Sequence, residues 1–356
     1  MKDINYQIFI QILADFINEK VGLYDNINKC DLSAIYELAI KNNVSGILYY
    51  QLRHCNVNKE FLKKLENDFL LNCVSSVNNE VETNAINKIL NECGIEHIFL
   101  KGVFLKKLYP VPEMRSMGDV DILIKADSQE LVKNVLIRNQ YEYDHRSSLS
   151  NVWDYKKNNV LFEIHSAVVY DNFKSDVNFV SYFKNAFEDS GIVSEYEYSL
   201  NINYNFIYLI THLAKHYYCG GAGIRMFMDI SLFIEKFADE MNIEQIIEET
   251  KKLKLYKFLC LTNAICNMWF GTRKCFDDYN ISGDLYIEIT NYVLNGGVFG
   301  FYNDGYLTSE LSRHTDNFNK SNNKFNVIFR YLFPNDDYMR FRYEWYSKLP
   351  VFFLPI

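Results

Sequence analysis

The chain has 356 residues, 49% of them hydrophobic, which is enough to build sizeable cores and suggests two or three domains. The net charge of −8 argues against a large nucleic-acid interface, which would need clustered Lys and Arg. Eight cysteines form no CxxC pair, and we find neither a secretory signal nor an apolar run of about 18 residues, so we expect free thiols in a cytoplasmic protein that does not cross a membrane.

The first part of the chain has the apolar spacing of amphipathic helices. Such patterns cover residues 32–52 and 61–90, and a shorter one lies near the start of the chain. Asp31 directly precedes the first of these segments, where its carboxylate can cap a helix. We therefore predict an N-terminal helical region over residues 1–94.

The character of the sequence changes at about residue 95, where short strand patterns alternate with short helical ones. The predicted elements are a strand at 96–100, a helix at 103–108, a strand at 119–125, a helix at 130–138, a strand at 141–143 and a hairpin of 152–156 with 160–169. We assign residues 95–200 to an α/β core.

Helical periodicity returns at about residue 201. The patterns predict helices at 206–218, 225–237, 243–270 and 283–294. We assign residues 201–356 to a C-terminal helical domain. The fold class predicted for the whole chain is α+β, with a small mixed sheet and flanking helices embedded between N-terminal and C-terminal helical regions.

Two carboxylates stand one residue apart in the second predicted strand. Because side chains alternate across a strand, Asp119 and Asp121 share one face, while Val120 and Ile122 point into the protein. Two acids side by side repel each other, and this costs stability unless a cation is present. Hard divalent ions such as Mg²⁺ bind carboxylate oxygens and often bridge to substrate phosphates. The pair therefore predicts a metal site.

A third acid is expected on a neighbouring strand that faces the same side. Glu163 fits this position, since it lies between apolar residues in the last predicted strand of the hairpin. Two metal ions held by three such acids would lie about 3.5–4 Å apart, as in two-metal phosphoryl transfer. We predict Asp119, Asp121 and Glu163 as catalytic metal ligands for two Mg²⁺ ions, with Mn²⁺ as an alternative.

A phosphate site is predicted upstream of the acids. Gly102 allows close approach of the backbone to a phosphate, and a predicted helix begins just after it. Lys101 adds a positive charge, and Arg115 has a guanidinium that can bind two phosphate oxygens at once. We predict Lys101, Gly102 and Arg115 as nucleotide-binding residues, against the alternative of solvated basic side chains.

Three further residues are candidates for substrate binding: His165, His216 and Arg225. His165 shares the strand face of Glu163, and a structural hydrogen-bonding role is the alternative. His212 and His216 share a helix face, but Leu213 stands where a zinc metalloprotease has Glu, which argues against zinc.

These motifs together resemble the polymerase-beta-like nucleotidyltransferase superfamily and, more narrowly, its bacterial group named uncharacterised nucleotidyltransferase. The resemblance covers most of residues 90–340. It is carried by Lys101-Gly102, RSMGDVDILI at 115–124, FEIH at 162–165, THLAKH at 211–216, RMFMDI at 225–230 and YLFP at 331–334.

The resemblance implies a minimal nucleotidyltransferase sheet, Mg²⁺ at Asp119 and Asp121, and Glu163 as the third acid. The expected reaction transfers a nucleoside monophosphate from an NTP to a hydroxyl of a small molecule or a peptide or protein, with release of pyrophosphate. The superfamily usually has Gly-Ser where this chain has Lys101-Gly102 with no Ser following, and the gap to Asp119 is longer. This departure leaves a non-catalytic nucleotide- or partner-binding protein on a degenerate transferase scaffold as the alternative, and a Mg²⁺-dependent phosphohydrolase as a third reading.

Overall fold

Helices form both ends of the described chain, and a mixed sheet lies between them in sequence. The computed structural model describes residues 2–22, 24, 26–149, 152–169, 177–219 and 221–297. The α-helices of these residues are α1 (Lys2–Ile17), α2 (Leu32–Lys41), α3 (Ser45–Leu52), α4 (Lys59–Glu92), α5 (Gly102–Lys106), α6 (Gln129–Arg138), α7 (Phe179–Tyr182), α8 (Ile202–Cys219), α9 (Ile224–Phe237), α10 (Ile243–Lys252), α11 (Tyr256–Phe270) and α12 (Gly283–Gly296). The strands are β1 (His97–Phe99), β2 (Asp119–Ile124), β3 (Glu142–Leu149), β4 (Val152–Lys157), β5 (Val160–His165), β6 (Ser190–Ser194) and β7 (Glu197–Leu200).

These elements confirm the predicted α+β class. The sheet has the strand order β3-β4-β5-β2-β1-β7-β6. At its centre β2 pairs in parallel with β5 and antiparallel with β1, so the two strands that carry the predicted acids are direct neighbours. The remainder of the predicted C-terminal domain after residue 297, including the YLFP run at 331–334, lies outside the described residues.

The central strands have two different faces because their side chains alternate. On one face Val120, Ile122 and Ile124 pack with Phe162 and Ile164 in a core that α4 and α6 complete. The other face carries Leu123, which packs into a larger core that contains residues of α8 and α9. The predicted acids are on this second face, so the α/β unit presents them toward the C-terminal helices.

The N-terminal and C-terminal helices share that larger core. Residues of α1, α2 and α3 pack in the same hydrophobic cluster as residues of α9, α11 and α12. Asn42 is one link between the two regions, since its buried side chain donates to the Leu294 carbonyl at 3.0 Å and accepts from the Ile224 amide at 3.2 Å. The two regions that flank the sheet in sequence are therefore in contact in space.

Local rules account for the two boundaries of α2. The Asp31 carboxylate accepts hydrogen bonds from the amides of Ser33 and Ala34, which confirms it as the cap of α2. The single helical pattern predicted over 32–52 is divided into two helices, because Asn43 adopts φ +55° between them.

The strands β6 and β7 were not predicted from the sequence. They form a hairpin at one edge of the sheet, and β7 joins the sheet through a parallel pairing with β1. Among the described residues, no helix is long and apolar enough to cross a membrane.

Candidate active site

The three predicted acids lie together on one face of the sheet. In the β2–β5 pairing Asp121 is directly opposite Glu163, and Asp119 is opposite Leu161. Asp119 shares the face of Asp121 because they are two residues apart in one strand. The side chain of Asp121 is 4% exposed and that of Glu163 is 28% exposed, so the cluster extends from the protein interior toward solvent.

Two basic side chains contact Asp121. Lys101 Nζ donates to Asp121 Oδ1 at 2.8 Å, and His165 Nε2 donates to the same oxygen at 3.0 Å. His165 Nε2 also lies 3.4 Å from Glu163 Oε2. Lys101 thus places a positive charge, and His165 an N–H donor, where the acids converge, which offsets part of their mutual repulsion.

The turn that positions Lys101 has a strained backbone. Lys101 adopts φ +41° and ψ −103°, in the region of positive φ that non-glycine residues rarely adopt. The turn follows β1 directly, and the Leu100 amide donates to the Asp121 carbonyl at 3.0 Å. Next in the chain, Gly102 is closely packed, since a Cβ there would lie 3.0 Å from Met117 Sδ and 3.2 Å from Arg115 Nη1. The backbone conformation of Lys101 and the close packing of Gly102 thus fix the turn from which the Lys101 side chain reaches Asp121.

The acids differ in their affinity for protons. Burial, together with the negative charges of Asp121 and Glu163, raises the pKa of Asp119 to about 6. Burial alone would also raise the pKa of Asp121, but the charge of Lys101 and the hydrogen bond from His165 outweigh it and hold that pKa below its usual range. For His165, burial lowers the pKa, and its hydrogen bonds to Asp121 and Glu163 reverse the direction, so the net shift is upward.

The donor atoms at this cluster fit a divalent cation. One ligand atom from each of Asp121, Glu163 and His165 lies within 4.8 Å of the others, and Asp119 adds a carboxylate on the same face. His165 Nδ1 is buried and has no hydrogen-bond partner among the described residues, so all the hydrogen-bonding contacts of this ring are made through Nε2. Carboxylate oxygens suit Mg²⁺ and Mn²⁺, and an imidazole nitrogen is accepted more readily by Mn²⁺.

Arg115 lies close to the predicted phosphate site but binds a carboxylate of the protein. Its Nε and Nη2 donate to the two oxygens of Asp229 at 2.8 and 2.9 Å, and its Nη1 lies 3.5 Å from the Gly102 carbonyl oxygen. The Tyr109 hydroxyl donates to Asp229 at 2.8 Å. The spacing of four in α9 would pair Asp229 with Arg225 on one helix face, but that prediction is wrong: the hydrogen-bonded partner is Arg115, 114 residues away in sequence.

Arg225, in the first turn of α9, instead contacts the loop that precedes β2. Its Nη1 donates to the Ser116 carbonyl and to the Ser116 hydroxyl, both at 2.7 Å. Ser116 is three residues before Asp119. The sequence-predicted residue Arg225 is therefore held beside the strand that carries the acid pair.

The two histidines of α8 contact each other and are half-buried near Lys101. The rings of His212 and His216 have centroids 4.5 Å apart in an edge-on arrangement. Burial and then the positive charge of Lys101 lower the pKa of both, to about 4 for His216, so both imidazoles are neutral at pH 7. The predicted substrate residue His216 thus has His212 as a neighbour.

Sequence reasoning gave no functional role to three contributors to this region, namely His212, Tyr109 and Asp229. His212 was considered only for zinc, although its spacing of four from His216 was a signal for a shared helix face. Tyr109 and Asp229 complete a buried network with Arg115, and an acid within an apolar helix was the signal available for Asp229.

The fold and this site together define a class of protein. A mixed sheet presents two acids from one strand and a third from its parallel neighbour, beside a Lys-Gly turn that opens a helix, which is an arrangement suited to metal-assisted transfer at phosphate.

Comparison with known proteins gives the family. A family model described as "Uncharacterised nucleotidyltransferase" matches residues 28–271, more than half of the chain, and the chain belongs to this family. Searches of curated proteins and of solved structures return no significant match. The resemblance in the motifs is thereby confirmed at the level of the family.

Proposed function

We propose that this protein is a Mg²⁺-dependent nucleotidyltransferase. The acceptor hydroxyl oxygen attacks the α-phosphorus of an NTP, the bond from that phosphorus to the bridging oxygen of the β-phosphate breaks, and pyrophosphate leaves. The observation that supports this most directly is the register of β2 and β5, which puts Asp121 opposite Glu163 with Asp119 on the same face.

The acids have separate roles in the proposal. Asp119 and Asp121 hold two Mg²⁺ ions, and Glu163 completes the second ion site. When bound, such ions neutralise the charge that develops on the attacking and leaving oxygens. The side chain of Glu163 is more exposed than that of Asp121, at 28% against 4%, which supports a role for Glu163 as the acceptor of the proton from the attacking hydroxyl.

The neighbouring residues bind the substrates. Lys101 and Gly102 contact the triphosphate, and Arg115 supports this turn through its approach to the Gly102 carbonyl while it remains a candidate for phosphate contact. His165, His216 and Arg225 line the acceptor side. The α/β core of residues 95–200 carries the chemistry, and the helical regions 1–94 and 201–356 shape the acceptor pocket.

Three classes of acceptor are considered, and the net charge of the chain decides the place of RNA among them. A small-molecule hydroxyl comes first and a peptide or protein side chain second. RNA comes last, because a chain with a net charge of −8 does not favour a polyanion. A strongly salt-dependent affinity for RNA would reverse this order.

The experiment is a transfer assay with each of the four α-labelled NTPs, Mg²⁺ or Mn²⁺, and mixtures of acceptors. The variants Asp119→Asn, Asp121→Asn and Glu163→Gln are expected to lose at least 100-fold in turnover, about 3 kcal/mol of transition-state stabilisation. Asp127→Asn is the matched control, since Asp127 lies just after β2 on an exposed turn. Turnover that survives in all three site variants would refute the proposal.

A second candidate is a nucleotide-binding protein without transfer activity on the same scaffold. The observation that favours it is the absence of Ser after Gly102, which removes a side-chain hydroxyl from the phosphate turn. Metal-dependent NTP binding without product across a broad acceptor screen would support this candidate, and a labelled acceptor would exclude it.

A further inference from the structure

Arg225 is a cation that has no carboxylate partner among the described residues. Its two strong contacts, at 2.7 Å, go to the carbonyl and the hydroxyl of Ser116, and both use Nη1. A guanidinium has five N–H donors, so the three on Nε and Nη2 remain available to a ligand. Arg115 differs in this respect, because Asp229 accepts from both its Nε and its Nη2.

The surroundings of Arg225 oppose its charge when no ligand is present. The residue is half-buried, and burial followed by the nearby charge of Arg115 lowers its pKa. It also lies in the first turn of a 14-residue helix that has no acid there, where the helix dipole disfavours a cation. Asp229, Tyr109 and Asp119 compensate only from a distance. A multiply charged anion bound here would offset these penalties through its attraction to the guanidinium.

The position of Arg225 identifies the part of the substrate that supplies this anion. Ser116 anchors the guanidinium three residues before Asp119, on the loop that leads into the acid strand. Lys101 contacts the other acid of the pair, Asp121. An NTP whose α-phosphate lies at the acids would extend its remaining phosphates beyond the pair, where a free arginine fork can bind two oxygens.

We propose that Arg225 binds the β- and γ-phosphates of the NTP, and that Arg115 is a positioning residue that supports the Gly102 turn from its pair with Asp229. The inference rests on the proposed function, since it takes the acids as the site of the α-phosphate. It moves Arg225 from the acceptor to the nucleotide, and it gives Arg225 the phosphate contact that the sequence suggested for Arg115.

The test is equilibrium binding by calorimetry to the full chain in the presence of Mg²⁺, with tripolyphosphate, each of the four NTPs and the matching NMPs as probes. Arg225→Gln is expected to weaken tripolyphosphate and NTP binding by about 10- to 100-fold, the range for hydrogen bonds to a charged group. NMP binding is expected to stay within about twofold, because an NMP lacks the β- and γ-phosphates. Arg225→Lys is expected to recover part of the loss, since it restores the charge without the fork.

Arg273→Gln is the matched control, because Arg273 pairs with Asp239 on the surface and is expected to leave every affinity unchanged. Two results would overturn the inference: an Arg225→Gln variant that binds tripolyphosphate as tightly as the unmodified chain, or one that loses NMP and NTP affinity equally. The unfolding midpoints of Arg225→Gln and Arg225→Lys are measured in parallel. Midpoints equal to that of the unmodified chain exclude misfolding as the cause of any change in affinity.

The transfer assay separates this inference from the proposed function. Arg225-dependent binding of tripolyphosphate without any transfer product supports the phosphate site and refutes the activity. A transfer product together with unchanged binding in Arg225→Gln refutes the phosphate site alone. An unmodified chain that binds neither tripolyphosphate nor any NTP refutes both.

Discussion

Replacement of Asp229 by Asn tests the buried network that links α9 to the phosphate turn. Asp229 and Arg115 are 6% and 7% exposed, and the carboxylate accepts three hydrogen bonds, two from Arg115 and one from the Tyr109 hydroxyl. The amide of Asn can keep at most the contacts of one oxygen, and its NH₂ group would face a guanidinium that also only donates. The variant therefore leaves a buried, uncompensated positive charge on Arg115.

The expected loss is about 3–5 kcal/mol in the free energy of unfolding, the usual cost of breaking a buried ion pair on one side. This is a large part of a typical total stability of about 5–15 kcal/mol. Urea denaturation followed by circular dichroism measures the loss. Asp239→Asn is the control, because it breaks the exposed pair with Arg273 and is expected to cost about 0–1 kcal/mol.

A double variant separates the charge from the packing. Arg115→Met combined with Asp229→Leu removes both charges and keeps much of the volume, so we expect it to be more stable than Asp229→Asn alone. Two results would contradict this expectation: a cost of Asp229→Asn no greater than that of the Asp239→Asn control, or a loss in the double variant equal to the losses of Arg115→Met and Asp229→Leu added together.

Three further predictions concern the site itself. Gly102→Ala is expected to lower the free energy of unfolding by about 1–3 kcal/mol, because its Cβ would lie 3.0 Å from Met117 Sδ. Gly118→Ala is the control, since its Cβ would meet no atom within 4 Å, and it is expected to be near neutral. Thermal unfolding of both variants measures the difference, and equal midpoints would contradict the prediction. Because the pKa of Asp119 is raised from 3.8 to about 6, the folded metal-free protein holds an extra proton between these values, so this residue makes stability fall as pH rises through that window. Denaturation at pH 4 and at pH 6.5 should show this fall, and both Asp119→Asn and added Mg²⁺ should reduce it; an equal slope in Asp119→Asn would contradict the assignment. Mn²⁺ is expected to bind more tightly than Mg²⁺ in calorimetry, and His165→Ala is expected to narrow the difference between the two affinities, since imidazole favours the transition metal. An unchanged ratio of Mn²⁺ to Mg²⁺ affinity in the variant would exclude His165 as a ligand.

Local patterns in the chain were sufficient for most elements and for the acid pair. Alternation along a strand has a period of two, so the face shared by Asp119 and Asp121 followed from their spacing alone. The same rule placed Glu163 among apolar neighbours on a strand. The hairpin of β6 and β7 was missed because its strands are short and mostly exposed, so little apolar alternation marks them, and its place in the sheet depends on a parallel pairing with β1.

The sequence by itself therefore determined which residues carry charge toward one face of the sheet, and which family the chain belongs to, because both depend on short-range spacing. Only the tertiary structure decided which of these charges meet. The parallel register brought Asp121 opposite Glu163. Packing of α9 against the loop before β2 paired Asp229 with Arg115, and within the described part of the chain it left Arg225 without a hydrogen-bonded acid. Such pairings join residues more than forty or a hundred positions apart, and no local periodicity specifies them.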